Sequence, residues 1–201
     1  MTWTIDERSW TDPVGAALRL AQRAELDERY GCDDHEPGGA PSASDIDLFL
    51  VAFDDNVASG NGVAFDDNVA SGNGVAFDDN VASGSGVASG SGVASGDRVA
   101  LDKAERGVAV GCGALRRLGE HSAEVKRMYV APGSRGSGVA AAILRALEAA
   151  AVRRGWTTLR LETGTAQPDA IRFYQREGYR EIPLYGVYVG SEISRCFEKS
   201  L

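Results

Sequence analysis

Apolar residues recur at three- and four-residue spacing from Pro13 to about Tyr30, with Val14, Ala17, Leu18 and Ala21 in step and Leu20 and Ala24 nearby. This spacing predicts an amphipathic helix. Residues 31–46 lose the period and carry polar residues with Gly and Pro, which predicts a loop. Asp47-Leu-Phe-Leu-Val-Ala-Phe53 predicts a strand, and Gly107-Val-Ala-Val-Gly-Cys-Gly-Ala-Leu115 predicts another, reaching about residue 118. Gly119 to Ser122 is a turn, and Glu124 to Val130 is a strand that stops at Ala131-Pro132. A glycine-rich loop, 133–138, opens a helix running to Arg154, with Val139, Ile143, Leu147 and Ala150 on one face. Arg153 and Arg154 suit the negative end of that helix, and Gly155 suits a left-handed cap. Trp156 to Glu162 is a strand. Pro168 opens a helix that ends at Gly178, with Gln167 before it and Asp169 in its first turn. Tyr179 to Ile182 and Ser194 to Lys199 are the last strands. A strand, a helix, three antiparallel strands, a helix, a strand, a helix and two strands make a mixed α/β fold.

The pattern breaks in the middle of the chain. Val51-Ala-Phe-Asp-Asp-Asn-Val-Ala-Ser-Gly-Asn-Gly62 recurs from Val63 and, with Ser85 replacing Asn, from Val75. It then decays to shorter Val-Ala-Ser-Gly units ending at Gly96. The 12-residue unit lacks the core positions of solenoid repeats, and the paired glycines of a calcium-binding β-roll are missing. A flexible Gly/Ser/Asp-rich insertion over residues 54–106 is the expectation. Without it, the flanking strands would join as a hairpin through an Asp-Asp turn. Long additions to a loop cost little closure entropy, so the fold tolerates them.

Length and composition fit one globular domain spanning 1–201: 201 residues, 43% apolar and 25% charged. The first residues have neither a basic start nor an apolar run, so no signal peptide is expected. Val139 to Val152 is too short to span a bilayer and is interrupted by Arg145 and Glu148, so no membrane association is expected. Cys32, Cys112 and Cys196 have no metal-like spacing; they are read as reduced thiols of a cytoplasmic protein that needs no metal. Net charge is −8, but six aspartates in residues 51–96, where there is no Lys or Arg, account for −6 of it. The rest of the chain is close to neutral, so global charge says little about partners, and no basic cluster points to nucleic acid.

The candidate chemistry centres on Val130-Ala-Pro-Gly-Ser-Arg-Gly-Ser-Gly-Val-Ala140. A strand followed by a glycine-rich turn at a helix start aims several backbone N–H groups at one spot, which suits a phosphate. Arg135 adds a cation. Gly136-Ser-Gly138-Val-Ala-Ala141 also fits the dinucleotide pattern of an NAD(P)-binding oxidoreductase, with Glu162 as the ribose acid. Against that, five residues separate strand from turn, and about sixty residues after it are too few for a doubly wound sheet.

Arg135-x-x-Gly138-x-Ala140 resembles the pyrophosphate loop of the GNAT acetyltransferases. Gly111 to Leu115, Ala123 to Val130, Leu159 to Gly164 and Ala170 to Tyr179 resemble that family's successive elements, in order. The resemblance covers roughly residues 107–199 well and 1–53 loosely, and the repeat has no counterpart. It implies a sheet of mostly antiparallel strands flanked by helices, and acetyl-CoA as co-substrate. By this resemblance Met128, Tyr129 and Val130 would pair with pantetheine and present an oxyanion-binding amide. Arg135, Gly136, Ser137, Gly138, Val139 and Ala140 would hold the pyrophosphate. Gln167, where relatives often have Asn, would reach the pantetheine arm. Tyr174 would protonate the departing thiolate, and Glu124 would serve as the base in those members that use one. Tyr185 and Tyr188, in the loop before the last strand, would contact the acceptor. The acceptor is expected to be a small-molecule or peptide amine, and a homodimer stays open. The alternative from another class is a non-catalytic acyl-CoA sensor or interaction module.

Overall fold

The computed structural model describes residues 2–31, 37, 39–55 and 107–201. Most of the repeat region, 56–106, and Cys32 lie outside the described residues. The elements are β1 (Trp3–Glu7), α1 (Pro13–Tyr30), β2 (Leu48–Asp54), β3 (Val108–Arg117), β4 (Ser122–Val130), α2 (Val139–Arg153), β5 (Thr158–Gly164), α3 (Pro168–Arg176), β6 (Arg180–Ile182) and β7 (Ser194–Ser200). They form one seven-stranded sheet in the order β1-β2-β3-β4-β5-β7-β6. Every pair is antiparallel except β4 with β5. The sheet is therefore not doubly wound, and the dinucleotide-fold alternative has no parallel sheet to stand on.

The local reasons for each helix are visible. Asp12 caps α1: its Oδ1 accepts from the Val14 and Gly15 amides at 2.9 and 3.1 Å, and Pro13 occupies the first helical position. Gly31 ends α1 with φ 68°. Gly155, expected to take a left-handed conformation after α2, has φ 78°.

The sheet is covered on both faces, so β2 is buried along its whole length and reads as a continuous apolar run. On one face α2 sets Ile143, Leu144 and Leu147 against Leu115, Val125 and Leu161, with Trp156, Ile171 and Tyr174 in the same core. On the other, α1 sets Leu18 against Phe49, Val51, Cys112 and Tyr129. Each fully buried Leu or Ile contributes roughly 1.5–3 kcal/mol. A Cβ on Gly113 of β3 would sit 2.7 Å from Met128 Sδ and 3.0 Å from Ile143 and Leu147, so glycine there lets α2 lie close to the sheet. Asp54 pairs with Val108, so β2 and β3 form the two arms of a hairpin from which residues 56–106 depart and return. Among the described residues no helix is long and apolar enough to cross a membrane.

Candidate active site

The site lies where the sheet opens. β4 and β5 run parallel from Ser122 opposite Thr158 to Val125 opposite Leu161, and the pairing then stops although both strands continue. From Lys126 to Val130 the β5-facing edge of β4 has no strand partner. A bulge in β4 sits at the same place: Ala114 pairs with Lys126 but Cys112 pairs with Tyr129, and Arg127 adopts φ 56°. A left-handed non-glycine residue costs roughly 1–2 kcal/mol and marks a backbone held in place by its surroundings.

A cavity of about 290 Å³ runs from this fork to the start of α2, walled by α1 and α3. Met128, Tyr129, Val130, Arg135, Gly136, Gly138, Val139, Ala140, Gln167 and Tyr174 all line it. The residues named by the family resemblance thus come from separate segments that the fold brings to one surface. Ser137 is not among the lining residues; its Oγ donates to the Ser134 carbonyl at 2.5 Å and braces the turn. Gly136 and Gly138 have φ 75° and 98°, conformations that disfavour a side chain. Gly138 is also the N-cap of α2 and offers no side-chain cap, so the first N–H groups of that helix remain available to an anion.

Two carbonyls at the fork already have donors. Gln22 Nε2 donates to Met128 O at 3.0 Å, and Arg135 Nε donates to Val130 O at 3.0 Å. Each carbonyl keeps a second lone pair for an entering ligand. Arg135 also pairs with Glu25, which in turn accepts from Arg29 at 2.9 Å. Gln22, Glu25 and Arg29 line the cavity and were not singled out by sequence. Their signal was present: they recur at three- and four-residue spacing on the polar side of α1.

Tyr174 lines both this cavity and a smaller one of about 100 Å³ that continues into the fork. Burial, and then the charge of Glu162, push its phenol above the ordinary range, so it stays protonated and able to donate. Glu162, considered in sequence only as a ribose acid, lines the smaller cavity with Lys126, Thr163, Gln167 and Tyr30.

Glu124 is placed differently from the expectation of a base. Its side chain is fully buried and lines neither cavity. Its Oε1 accepts from the phenols of Tyr185 and Tyr188 at 3.0 and 2.6 Å, and its Oε2 accepts from Arg116 Nε at 3.0 Å and from Arg116 Nη2. Four donors occupy the carboxylate, which is the geometry of an anchor rather than of a proton acceptor. Tyr185 and Tyr188 correspondingly turn their hydroxyls to Glu124; Tyr188 is buried, and neither lines either of these two cavities. Burial and the neighbouring Glu124 charge hold both phenols protonated. Cys112 is enclosed, its thiol pushed up by burial to about 12, which removes it as a nucleophile.

Comparisons with known proteins agree with this geometry. Residues 98–181 match the sequence model of the acetyltransferase (GNAT) domain. An IAA acetyltransferase of Azospirillum brasilense is 36% identical over 96 residues, 47% of this chain and 63% of that relative's length. A provisionally named acyl-CoA N-acyltransferase from Klebsiella pneumoniae superposes over the whole chain and 98% of its own, with TM-score 0.62 and 26% identity. A GNAT family acetyltransferase from Elizabethkingia anophelis, solved with acetyl-CoA bound, shares the fold at TM-score 0.54 and 13% identity, over 99% of this chain and 98% of that one. With a forked parallel pair, a glycine turn at a helix start and a matching domain signature over residues 98–181, the chain is similar to the GNAT acetyltransferases, and it spans less than two thirds of the length of the curated relative it matches.

Proposed function

We propose that the protein transfers the acetyl group of acetyl-CoA to a primary amine by direct attack within a ternary complex. The observation that carries this reading is the continuous cavity from the α2 N-terminus, through the unpaired edge of β4, to Tyr174. The pyrophosphate would meet the amides of Gly136 to Ala140 and Arg135. Pantetheine would lie along Met128 to Val130, with Gln167 beside it, and the thioester would reach the fork.

The acceptor arrives as an ammonium and must lose a proton before its lone pair can attack. Glu162, which lines the smaller cavity, would take that proton, directly or through water. The C–N bond forms, and the carbonyl oxygen becomes an oxyanion that a β4 backbone amide stabilises by about 3 kcal/mol. The oxyanion then collapses and the C–S bond breaks; the sulfur takes the proton of Tyr174, and the nitrogen gives up its second proton, which returns to the Tyr174 phenolate through water. Holding both reactants in line can itself supply up to roughly 7–11 kcal/mol.

The test is acetyl-CoA titration by calorimetry, followed in the same sample by thiol release against amines, amino acids and peptides. Binding with thiol release supports the reading. Binding without release from any acceptor favours an acyl-CoA-binding module, and no binding overturns the assignment of the cavity.

A further inference from the structure

The two cavities share a ring of residues: Gln22, Leu26, Met128, Gln167, Ala170 and Tyr174. From this ring the larger cavity leads to the α2 N-terminus, and the smaller one leads to Glu162 on β5. Gln22 ties α1 to the unpaired stretch of β4 here, its Nε2 donating to Met128 O at 3.0 Å. A carbonyl oxygen only accepts, so the amide nitrogen of Gln22 must face Met128 and its oxygen must face elsewhere. That oxygen, Oε1, is buried and accepts no hydrogen bond among the described residues. A buried amide oxygen without a donor costs free energy, and one kept beside a cavity points to a ligand that supplies the donor.

Resting on the acetyltransferase reading above, we infer that Gln22 Oε1 receives an N–H of the acceptor amine and so selects primary over secondary amines. An acetyl thioester at the ring has no N–H or O–H of its own, so the entering nitrogen is the donor there. Once the ammonium has lost one proton, a primary amine keeps two N–H groups. After the C–N bond forms, one of these protons leaves as the C–S bond breaks and the amide is made. The other stays on nitrogen and holds to Oε1 from attack to product. A secondary amine brings only the departing proton, so its product leaves Oε1 without a donor. The positive charge on nitrogen between attack and C–S cleavage strengthens the bond to Oε1, so Gln22 acts on kcat as well as on KM. Gln22 is thus a specificity-determining residue. The nearest pantetheine amide is the other source of an N–H, and donor affinity separates the two.

The experiment compares ethylamine, alanine and benzylamine as acceptors, each against its N-methyl derivative, with kcat/KM corrected to the free-base concentration. The expected result is a preference for the primary amine of at least about 30-fold. Gln22→Met should slow the primary amines and collapse that preference to within about threefold, whereas a purely steric preference would survive it. Gln22→Glu, which keeps an oxygen acceptor and loses the donor to Met128 O, should retain most of the preference. Acetyl-CoA affinity in calorimetry should change less than about threefold in both variants. A preference that survives in Q22M, or one lost equally in Q22E, overturns this inference and leaves the transferase reading standing. So does a fall in acetyl-CoA affinity in Q22M with the preference intact, which assigns Oε1 to the pantetheine amide. Failure of every primary amine to release thiol overturns both.

Discussion

At the scale of single residues, Tyr174 and Glu124 separate by what surrounds them. Tyr174 lies on the cavity wall with a phenol held protonated by burial. Tyr174→Phe is expected to lower kcat about 100-fold while acetyl-CoA affinity in calorimetry changes less than about threefold. Because the phenol titrates above its ordinary value near 10, loss of this donor should not depress kcat of the unaltered protein as pH approaches 10. Turnover unaffected by the substitution would remove Tyr174 from the chemistry. Glu124, by contrast, holds Arg116, Tyr185 and Tyr188 together. Glu124→Gln keeps the shape but removes the charge that Arg116 faces, at a cost of about 2 kcal/mol, or a fall in Tm of roughly 5 °C. The pH–rate profile should keep its shape; a flattened profile would instead make Glu124 the base.

At the scale of elements, the junction of β4 with α2 depends on glycines whose backbone no other residue adopts cheaply. Gly138 has φ 98° and caps α2 without a side chain. Gly138→Ala should weaken acetyl-CoA binding about tenfold by calorimetry while lowering Tm by only a few degrees, because strain and a misaimed amide set act locally. An unchanged dissociation constant would show that the phosphates do not bind there. The α1 helix contributes equally to the site. Its apolar positions were legible as a packing face, but the neighbouring row of Gln22, Glu25 and Arg29 gains meaning only when α1 is laid across the end of β4.

At the scale of the whole molecule, the hairpin arms β2 and β3 pair up to Asp54 and Val108. Replacing residues 56–106 by an Asn-Gly turn should leave folding and turnover within about twofold of the unaltered chain, measured by melting and by thiol release. An insoluble or inactive product would assign the insertion a part in the body. The order of helices and strands, the approximate ends of all of them but β1, and the glycine turn were determined by the sequence itself, because period, capping residues and left-handed glycines act over a few residues. The parallel β4–β5 pair that stops at Val125, the bulge at Arg127 and the meeting of Lys126 with Glu162 were decided only by the tertiary structure. Each is a relation between segments tens of residues apart, set by strand register and helix packing, and no local pattern encodes it. The place of Glu124 belongs to the same class: its strand position was legible, but its four hydrogen-bond donors come from β3 and the loop before β7, which only the folded sheet brings to it.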